Sequence, residues 1–395
     1  MRQPKFRAPV ATEATSASAV IEVSRRIKPQ ITARLYARAA GRCEFCNKDT
    51  LAHSLTQQDG TFAEQAHIVA FKQDGPRGTE GCRQADINAL ENLMLLCLEC
   101  HELIDGLPQD YPRSLLERLK REHEERIRRL TELGPDRKTS AIVVAMPIGG
   151  HRVVIKPEQV FDAVTAQHRY PIERDGTVID LSALIGAPES ESYLGQGREL
   201  IDRHLDRIFA PGGGAERAGH LSVFALGPIP LLVHLGARLS NKVAAELFQR
   251  HRDTEDWNWK TEGRLVSYRV VRLQDKGRDA PVALVLALSG AVPLDALPSA
   301  IREHFNVYKV TLDGVDPNPA FLRQKGDLDR FRLAFQDALA IIATEHGLRT
   351  EIDLIPAVPA PVAVLCGRER LPKVHPGLRV FDRHNGEYHY KLTVN

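Results

Sequence analysis

The pattern of apolar and polar positions changes near residue 134, which divides the chain into two parts. Before about residue 134, residues 29–40 and 114–133 show helical periodicity, and the second stretch places Leu and Ile on one face and Glu and Arg on the other. We predict a strand over residues 62–71 and the entry to a helix over residues 92–101. Gly134-Pro135-Asp136 ends the second helical stretch, so we place a domain boundary at about residues 134–140.

Beyond this boundary, short apolar runs alternate with longer amphipathic stretches. The predicted strands are residues 141–145, 221–226, 282–288, 307–312 and 352–355, and the predicted helices are residues 198–209, 231–248 and 328–346. Strands that alternate with helices are typical of a parallel sheet covered by helices. This part of the chain is therefore predicted to be α/β.

The second part also contains an internal duplication at a constant offset of 131 residues. Seven residues recur without a gap: Pro228, Pro230, Val233, Gly236, Lys242, Arg252 and Lys260 as Pro359, Pro361, Val364, Gly367, Lys373, Arg383 and Lys391. In the same register, Asp256-Trp257-Asn258-Trp259-Lys260 falls on Glu387-Tyr388-His389-Tyr390-Lys391. The unbroken register predicts two homologous Rossmann-like halves.

Composition and charge narrow the functional class. With 43% hydrophobic and 26% charged residues in 395, the chain has enough apolar side chain for folded domains. No stretch approaches the roughly 20 apolar residues of a membrane span, and no secretory signal precedes residue 30, so we expect a cytoplasmic protein. The net charge of +2 hides a basic segment, since residues 1–42 hold nine Lys and Arg against two acidic residues. Residues 1–28 are predicted to be a flexible basic arm that either contacts phosphates or is a solvated tail.

Four of the six cysteines form two Cys-x-x-Cys pairs, Cys43 with Cys46 and Cys97 with Cys100. Two such pairs separated by about fifty residues can supply four thiolates to one tetrahedral, structural Zn²⁺. Binding energy on the order of 10 kcal/mol would then stabilise a loop-rich first domain. The other two, Cys82 and Cys366, are interpreted as isolated thiols.

The residues around the second pair resemble the HNH endonuclease family over about residues 35–110. The motifs are Glu64-Gln65-Ala66-His67-Ile68-Val69 and Asn92-Leu93-Met94-Leu95-Leu96-Cys97-Leu98-Glu99-Cys100-His101. The resemblance implies that His67 is the general base and that His101 is a ligand of a catalytic divalent ion, usually Mg²⁺. It implies that Asn92 hydrogen-bonds to the backbone or to the base and fixes its orientation. Such residues would suit phosphodiester hydrolysis, which needs an activated water and a neutralised leaving oxygen.

One position departs from the HNH pattern. Many members carry Asp or His before the general base as a second metal ligand, whereas this chain has Ala66. Either Glu64 or Asp105 supplies the carboxylate, or the metal is held weakly and the site is incomplete until the protein changes state. A zinc-stabilised DNA-binding module without catalysis is the alternative.

The second part lacks a P-loop, a metal-spaced histidine cluster and a Gly-x-Ser-x-Gly motif, so a second enzyme is not expected. Its two strand-to-helix turns, residues 225–230 and 356–361, can present backbone amides to phosphates. Paired aromatic residues could stack purines and basic residues could neutralise phosphates, although one aromatic of each pair is equally well interpreted as a core residue. The candidate nucleotide-binding residues are Pro228, Arg252, Trp257, Trp259, Lys260, Pro359, Arg383, Tyr388 and Tyr390.

From about residue 30 to its end, the chain resembles the HNH-SAVED effector nucleases of bacterial CBASS antiphage systems. The specific motifs are Ala66-His67-Ile68-Val69-Ala70-Phe71, Gly75-Pro76-Arg77-Gly78, residues 92–101, and Pro359-x-Pro361 with Gly367 and Pro372-Lys373. The resemblance implies an α+β, zinc-stabilised HNH (ββα-metal) domain at residues 29–110, a linker helix at 111–138 and an α/β SAVED sensor of two CARF-like halves at 139–395.

The same resemblance implies degradation of double-stranded DNA, switched on by a cyclic di- or trinucleotide. Activation would proceed through assembly of a homo-oligomer, a dimer that assembles further on ligand binding. Two alternatives remain open at this point. One is a ligand-independent, restriction-type HNH nuclease, and the other is a zinc-dependent regulator that binds DNA without cutting it.

Overall fold

A computed structural model describes residues 26–80, 86–145, 155–187 and 190–395. The chain divides into two compact units, residues 1–132 and 133–395, close to the predicted boundary. Cys82 and residues 1–25 of the predicted basic arm lie outside the described residues. Within the part of the chain that is described, no helix combines the length and apolar character needed to cross a membrane.

The described residues of the first unit form a two-stranded antiparallel sheet and three α-helices. Its elements are α1 (Pro29–Ala39), β1 (Ala63–His67), β2 (Leu93–Cys97), α2 (Leu98–Gly106) and α3 (Arg113–Thr131). In the sheet, His67 lies opposite Leu93 and Ala63 opposite Cys97. The helices predicted at 29–40 and 114–133 are confirmed, whereas β2 was missed. Its five consecutive buried apolar residues are compatible with a strand or a buried helix, and periodicity alone does not separate the two.

Helix α3, which covers most of the linker helix predicted at 111–138, packs against the rest of the first unit. Leu116 is buried in one core cluster with Cys43 and Met94, and His123 donates from Nε2 to the carbonyl of Ala39 at the end of α1 (3.1 Å). These contacts bury one face of α3, so most of the predicted linker is part of the first domain.

The second unit is α/β, as predicted. Its elements are β3 (Lys138–Ala145), α4 (Pro157–Ala166), β4 (Tyr170–Pro171), β5 (Thr177–Asp180), α5 (Glu191–Phe209), α6 (Gly214–Ala218), β6 (His220–Ala225), α7 (Ile229–Leu239), β7 (Ala244–Phe248), β8 (Ser267–Gln274), β9 (Val282–Ala287), α8 (Ser299–His304), β10 (Asn306–Asp313), α9 (Lys325–His346), β11 (Glu351–Ala357), α10 (Ala360–Glu369), β12 (Gly377–His384) and β13 (Glu387–Val394).

Two sheets organise these elements. The first has the order β4-β3-β6-β7, with β5 also paired to β3, and all its pairs are parallel. The second has the order β13-β12-β11-β9-β10-β8, in which the four inner strands are parallel and the two edge strands antiparallel. The inner strands β6 and β9 are buried along their whole length, which is typical of parallel strands covered on both faces.

The 131-residue offset relates β6 and α7 to β11 and α10. Ile229, the first residue of α7, corresponds to Ala360, the first residue of α10. The helix predicted at 231–248 is wrong beyond Leu239, because the chain leaves the helix at Ser240 (φ 51°) and enters β7. The correspondence also ends before the aromatic segments, since residues 256–260 are irregular whereas 387–391 belong to β13.

Candidate functional site

Four cysteines of the first unit converge on one point. The Sγ atoms of Cys43, Cys46, Cys97 and Cys100 all lie within 4.8 Å of one another, and those of Cys46 and Cys97 are 3.8 Å apart. A tetrahedral zinc with Zn–S bonds of about 2.3 Å separates its sulfurs by about 3.8 Å. The spacing therefore fits Zn²⁺ with four thiolate ligands.

Backbone geometry prepares these sulfurs for a cation. The first pair lies in a turn closed by a hydrogen bond from the Asn47 N–H to the Cys43 carbonyl (2.9 Å), and the second pair spans the end of β2 and the start of α2. Burial raises the pKa of the Cys43 thiol. Hydrogen bonds from backbone N–H groups, the strongest from Cys46, have a larger opposite effect, so the pKa of Cys43 is lowered overall. Burial raises the pKa of Cys46 and Cys100. Four thiolates this close together need a cation to offset their charge.

His67 ends β1, where its ring is held by a residue that sequence analysis missed. Its Nε2 lies 2.9 Å from Oδ1 of Asn88, and the ring meets that of Phe71 edge to face, with centroids 6.2 Å apart. An amide oxygen only accepts hydrogen bonds, so Nε2 carries the proton and Nδ1 is left to accept one. Asn88 thereby fixes the orientation of the ring and leaves Nδ1 open to a hydrogen-bond donor such as water.

Asn92 contacts the backbone and does not contact the His67 ring. Its Oδ1 accepts from the N–H of Val69 (2.9 Å), while Nδ2 donates to the carbonyls of Val69 (3.0 Å) and Ile87 (2.9 Å). Of the two roles expected for this buried amide, the structure has the backbone one. Asn92 thereby fixes the chain that follows His67.

His101 belongs to a chain of three interacting polar side chains. Its Nε2 lies 3.2 Å from Oδ2 of Asp105, and Oδ1 of the same carboxylate accepts from Arg77 at 2.6 Å. Arg77 is buried and also donates to the carbonyls of Ile68 (2.6 Å) and Ile104 (3.1 Å). The hydrogen bond to Asp105 raises the pKa of His101. Both Asp105 oxygens are engaged, so Asp105 orients His101 through Nε2 and leaves Nδ1 of the ring for a metal.

The position of Ala66 in the fold explains why it differs from the Asp or His expected from the HNH pattern. Ala66 is buried opposite Met94 in the core of the first unit. Successive strand residues point to opposite faces, so the side chain at 66 points away from the face of His67. Two carboxylates were considered as substitutes for the missing ligand. Asp105 already contacts His101 and Arg77 through its two oxygens. Glu64 is exposed, and the charge of Glu64 also raises the pKa of His101. Among the residues described, the four cysteines form the one cluster of three or more metal-binding side chains, so a catalytic ion at His101 would take most of its ligands from water and substrate.

In the second unit, the two predicted turns occupy equivalent positions. Pro228 precedes α7 and Pro359 precedes α10, each at the N-cap position after the carboxyl end of a parallel strand. Ligands of open α/β sheets bind outside the carboxyl ends of the strands. The turns therefore lie where such a ligand would be expected.

Three of the four candidate aromatic residues are core residues. Trp257 is 1% exposed and meets Phe224 edge to face, with ring centroids 5.3 Å apart, while Trp259 and Tyr388 are 8% and 7% exposed. Their faces are covered by protein, so the predicted base stacking is not available to them in this structure. Tyr390 is different, since it is 47% exposed with the Arg379 guanidinium 5.2 Å from its ring centroid.

The three basic residues among the candidates also differ in whether their charge is free to contact a ligand. The Lys260 ammonium lies 2.9 Å from the Asp256 carboxylate, which neutralises it. Arg252 and Arg383 are exposed, and Arg383 donates from Nε to the Gly386 carbonyl (3.2 Å). Of the candidate nucleotide-binding residues after the two prolines, Arg252, Arg383 and Tyr390 remain accessible to a ligand.

Residues 201–395 match the family described as SAVED, the SMODS-associated and fused to various effectors sensor domain. This segment is similar to SAVED sensor domains. The match begins within α5, so it covers less of the second unit than the sensor predicted at 139–395. A comparison with curated proteins returns no match.

Several solved structures have distant similarity to the chain. The Acinetobacter baumannii Cap4 SAVED/CARF-domain containing receptor with the cyclic trinucleotide 3'3'3'-cAAA is 13% identical, with a TM-score of 0.42 over 79% of this chain and 65% of that chain. Its complex with 2'3'3'-cAAA is 14% identical, with a TM-score of 0.38 over 79% and 64%. The Moraxella osloensis Cap4 receptor is 15% identical, with a TM-score of 0.38 over 74% and 60%. The chain thus spans less than two thirds of the length of each receptor.

Proposed function

We propose that the protein is a metal-dependent DNA endonuclease that a cyclic oligonucleotide activates, in a CBASS-type antiphage response. The observation that carries the proposal is that one chain combines a segment similar to SAVED sensor domains with a first unit containing four converging cysteines. In that unit His67 ends β1, Asn92 directly precedes β2 and His101 lies in α2. The family description itself names fusion of the sensor to various effectors. The first unit would be this chain's effector.

In the proposed reaction, His67 takes the proton from the attacking water through Nδ1. Asn88 holds the ring by its other nitrogen, and Asn92 fixes the backbone at Val69. A neutral imidazole near its own pKa is an efficient base at neutral pH. His67 is therefore the catalytic residue, while Asn88 and Asn92 position it.

His101 would bind the catalytic ion through Nδ1, with Asp105 and Arg77 holding the ring from the other side. A divalent ion such as Mg²⁺ would supply positive charge for the scissile phosphate and the leaving 3′-oxygen, keeping several waters as it does in sites with few protein ligands. The structural Zn²⁺ at Cys43, Cys46, Cys97 and Cys100 would take no part in the chemistry, because four protein ligands leave no open position.

The activator would be a cyclic di- or trinucleotide bound at the carboxyl edge of the parallel strands, near Pro228 and Pro359. Backbone amides at the starts of α7 and α10 suit its phosphates. The exposed Arg252, Arg383 and Tyr390 are the side chains available to bases and phosphates. Cyclic trinucleotides are the ligands named for two of the Cap4 receptor structures.

A supercoiled-plasmid assay with Mg²⁺ tests the proposal, run with and without a panel of cyclic dinucleotides and trinucleotides. We expect nicked and linear DNA only when a member of the panel is present. Equal cleavage without nucleotide would indicate a restriction-type nuclease. DNA retardation without cleavage under every condition would indicate a regulator.

A further inference from the structure

A cavity of about 230 Å³ lies at the amino edge of the five-stranded sheet of the second unit. This is the edge opposite to the turn at Pro228, and α10 lines the cavity with its carboxyl-terminal half, away from Pro359. Arg137 and His220 line it at the starts of β3 and β6, and Arg169 lines it directly before β4. The remaining basic side chains come from the helices of the second repeat, namely Lys325 and Arg332 of α9 and Arg368 of α10. The cavity is therefore surrounded by cations from both halves of the unit.

The acidic residues of the lining do not balance these cations. Lys325 is paired with Glu246, and Arg332 lies 3.7 Å from Asp329. The third acidic residue, Glu369, accepts a hydrogen bond from Gln336 (2.9 Å). Among the residues that the structure describes, no carboxylate lies in ion-pair contact with the three arginines Arg137, Arg169 and Arg368.

These three arginines differ in what else they contact. Arg368 is buried and donates to the backbone carbonyls of Ser240 and Val243, and Arg137 donates to the carbonyl of His168 (2.8 Å). Arg169 is half-buried, and its guanidinium makes neither a hydrogen bond nor an ion pair with any described residue, whereas its backbone N–H donates to the carbonyl of Val164 (3.2 Å). A guanidinium with five donors and no partner in a partly enclosed site is costly unless something pairs with it.

The electrostatic field in the cavity has the sign that attracts anions. Burial lowers the pKa of Arg169 and the charge of Arg137 lowers it further, while the charges of Glu246 and Asp136 offset part of this effect. Burial, together with the positive charges of Arg169, Lys325 and Arg368, lowers the pKa of His220 to about 4. His220 is therefore neutral at pH 7, because protonation would add another cation to the cluster. A bound anion would relieve the repulsion among the arginines.

We propose that this cavity binds a phosphate or phosphate-ester group, at a site separate from the cyclic-oligonucleotide site. Arginine forks match phosphate oxygens in pairs of parallel hydrogen bonds, and Arg169 has its donors available. Pockets for drug-sized ligands measure about 300 to 1,000 Å³, so this volume suits a phosphoryl group and is too small for a whole cyclic dinucleotide. Because the lining comes from β6 and β7 and from α9 and α10, the bound group links the two halves of the unit.

The test compares the wild-type chain with Arg169→Gln and with the control Arg203→Gln. Arg203 is an exposed residue of α5 away from the cavity lining, so the control removes the same charge. Inorganic phosphate and AMP are titrated by calorimetry at constant ionic strength, with NaCl as the balancing salt. We expect both probes to bind the wild type and the control equally. They should bind Arg169→Gln at least about tenfold more weakly, because one charge-assisted pair of hydrogen bonds is lost.

Thermal unfolding gives the readout that separates a binding role from a structural one. Since Arg169 contacts nothing that its removal would orphan, Arg169→Gln should unfold no earlier than the wild type in phosphate-free buffer, while losing the phosphate-dependent rise in Tm. Any of three results would overturn the proposal. The wild type and Arg169→Gln bind phosphate equally, Arg169→Gln and Arg203→Gln lose the same affinity for phosphate, or the wild type does not bind phosphate. Displacement of phosphate by cyclic dinucleotides or trinucleotides would overturn the claim that the site is separate.

Discussion

Gly236 and Gly367, 131 residues apart, have equivalent positions where α7 and α10 cross. A Cβ atom on Gly236 would overlap the carbonyl oxygen of Val364, and one on Gly367 would overlap the carbonyl oxygen of Val233. Val233 and Val364 are themselves 131 residues apart, so the contact is the same in both directions. The repeat detected in the sequence is therefore also a pseudo-symmetric helix pair at the centre of the second unit.

We expect Gly236→Ala to destabilise the second unit, because the added methyl group forces the two backbones apart. Overpacking in a tight core typically costs about 1 to 3 kcal/mol, and backbone atoms have little freedom to move. Urea unfolding measures the loss. The matched control is Gly195→Ala on α5, where a Cβ meets nothing within 4 Å, and where Ala should be neutral or stabilising by up to about 1 kcal/mol. Equal stability of the two variants would contradict the close crossing.

The repeat also shows where sequence information ends. The offset predicted the strand-to-helix units correctly, because a buried strand, a Pro-initiated turn and a Gly-containing helix are local features. It assigned the same role to Trp257 and Tyr390, although one is 1% and the other 47% exposed. That difference depends on Phe224, which covers Trp257 and lies far from it in the sequence. No local pattern separates a covered aromatic residue from an exposed one.

The first unit shows the same limit. The cysteine spacing was sufficient to predict a four-sulfur cluster, since two Cys-x-x-Cys pairs have few other uses. The contacts of the histidines were not predictable. Asn88 lies 21 positions from His67, and Arg77 reaches Asp105 across 28 positions. Arg77 belonged to a motif already singled out by resemblance, but its role followed only from its three hydrogen-bond acceptors.

Changing Cys43 or Cys97 to Ser should release the metal and unfold the first unit. A structural zinc site contributes on the order of 10 kcal/mol to a small domain, and a hydroxyl is a poor substitute for a thiolate. Elemental analysis should give one zinc per wild-type chain, and one also in the control Cys366→Ala, whose thiol is buried in the core of the second unit. A full equivalent of zinc in Cys43→Ser with unchanged unfolding would rule out the tetrathiolate site.

His67→Ala should abolish plasmid cleavage and leave the zinc content unchanged, because this half-buried residue is neither a ligand of the cluster nor part of the core. Asn88→Ala should lower the cleavage rate by about 10- to 100-fold, the scale of a lost positioning contact. The loss should fall on kcat, with the KM for DNA nearly unchanged, since the amide no longer holds the His67 ring. An unchanged kcat in Asn88→Ala, or a loss confined to KM, would show that the amide does not act through the base.

Tyr390→Ala should weaken nucleotide binding, whereas Trp259→Ala should weaken the fold. Loss of the exposed Tyr390 ring should raise the activating nucleotide concentration about 5- to 150-fold, the equivalent of one stacked base at about 1 to 3 kcal/mol, with little change in Tm. Loss of the buried Trp259 should instead lower the unfolding free energy by about 3 kcal/mol or more. If Trp259→Ala keeps wild-type stability and loses nucleotide binding, the indole is a ligand contact and its burial has no structural importance.

The most direct test of the whole account is to measure activation and binding on one preparation. Plasmid cleavage with Mg²⁺ is followed across a titration of each cyclic dinucleotide and trinucleotide, while calorimetry gives the affinity of the same compounds. His67→Ala serves as the control for contaminating nuclease. We expect one compound to bind tightly and to switch cleavage on at a concentration that matches its Kd, with His67→Ala binding it equally and cutting nothing. Cleavage at the same rate with and without every compound, or retained in His67→Ala, would contradict the account.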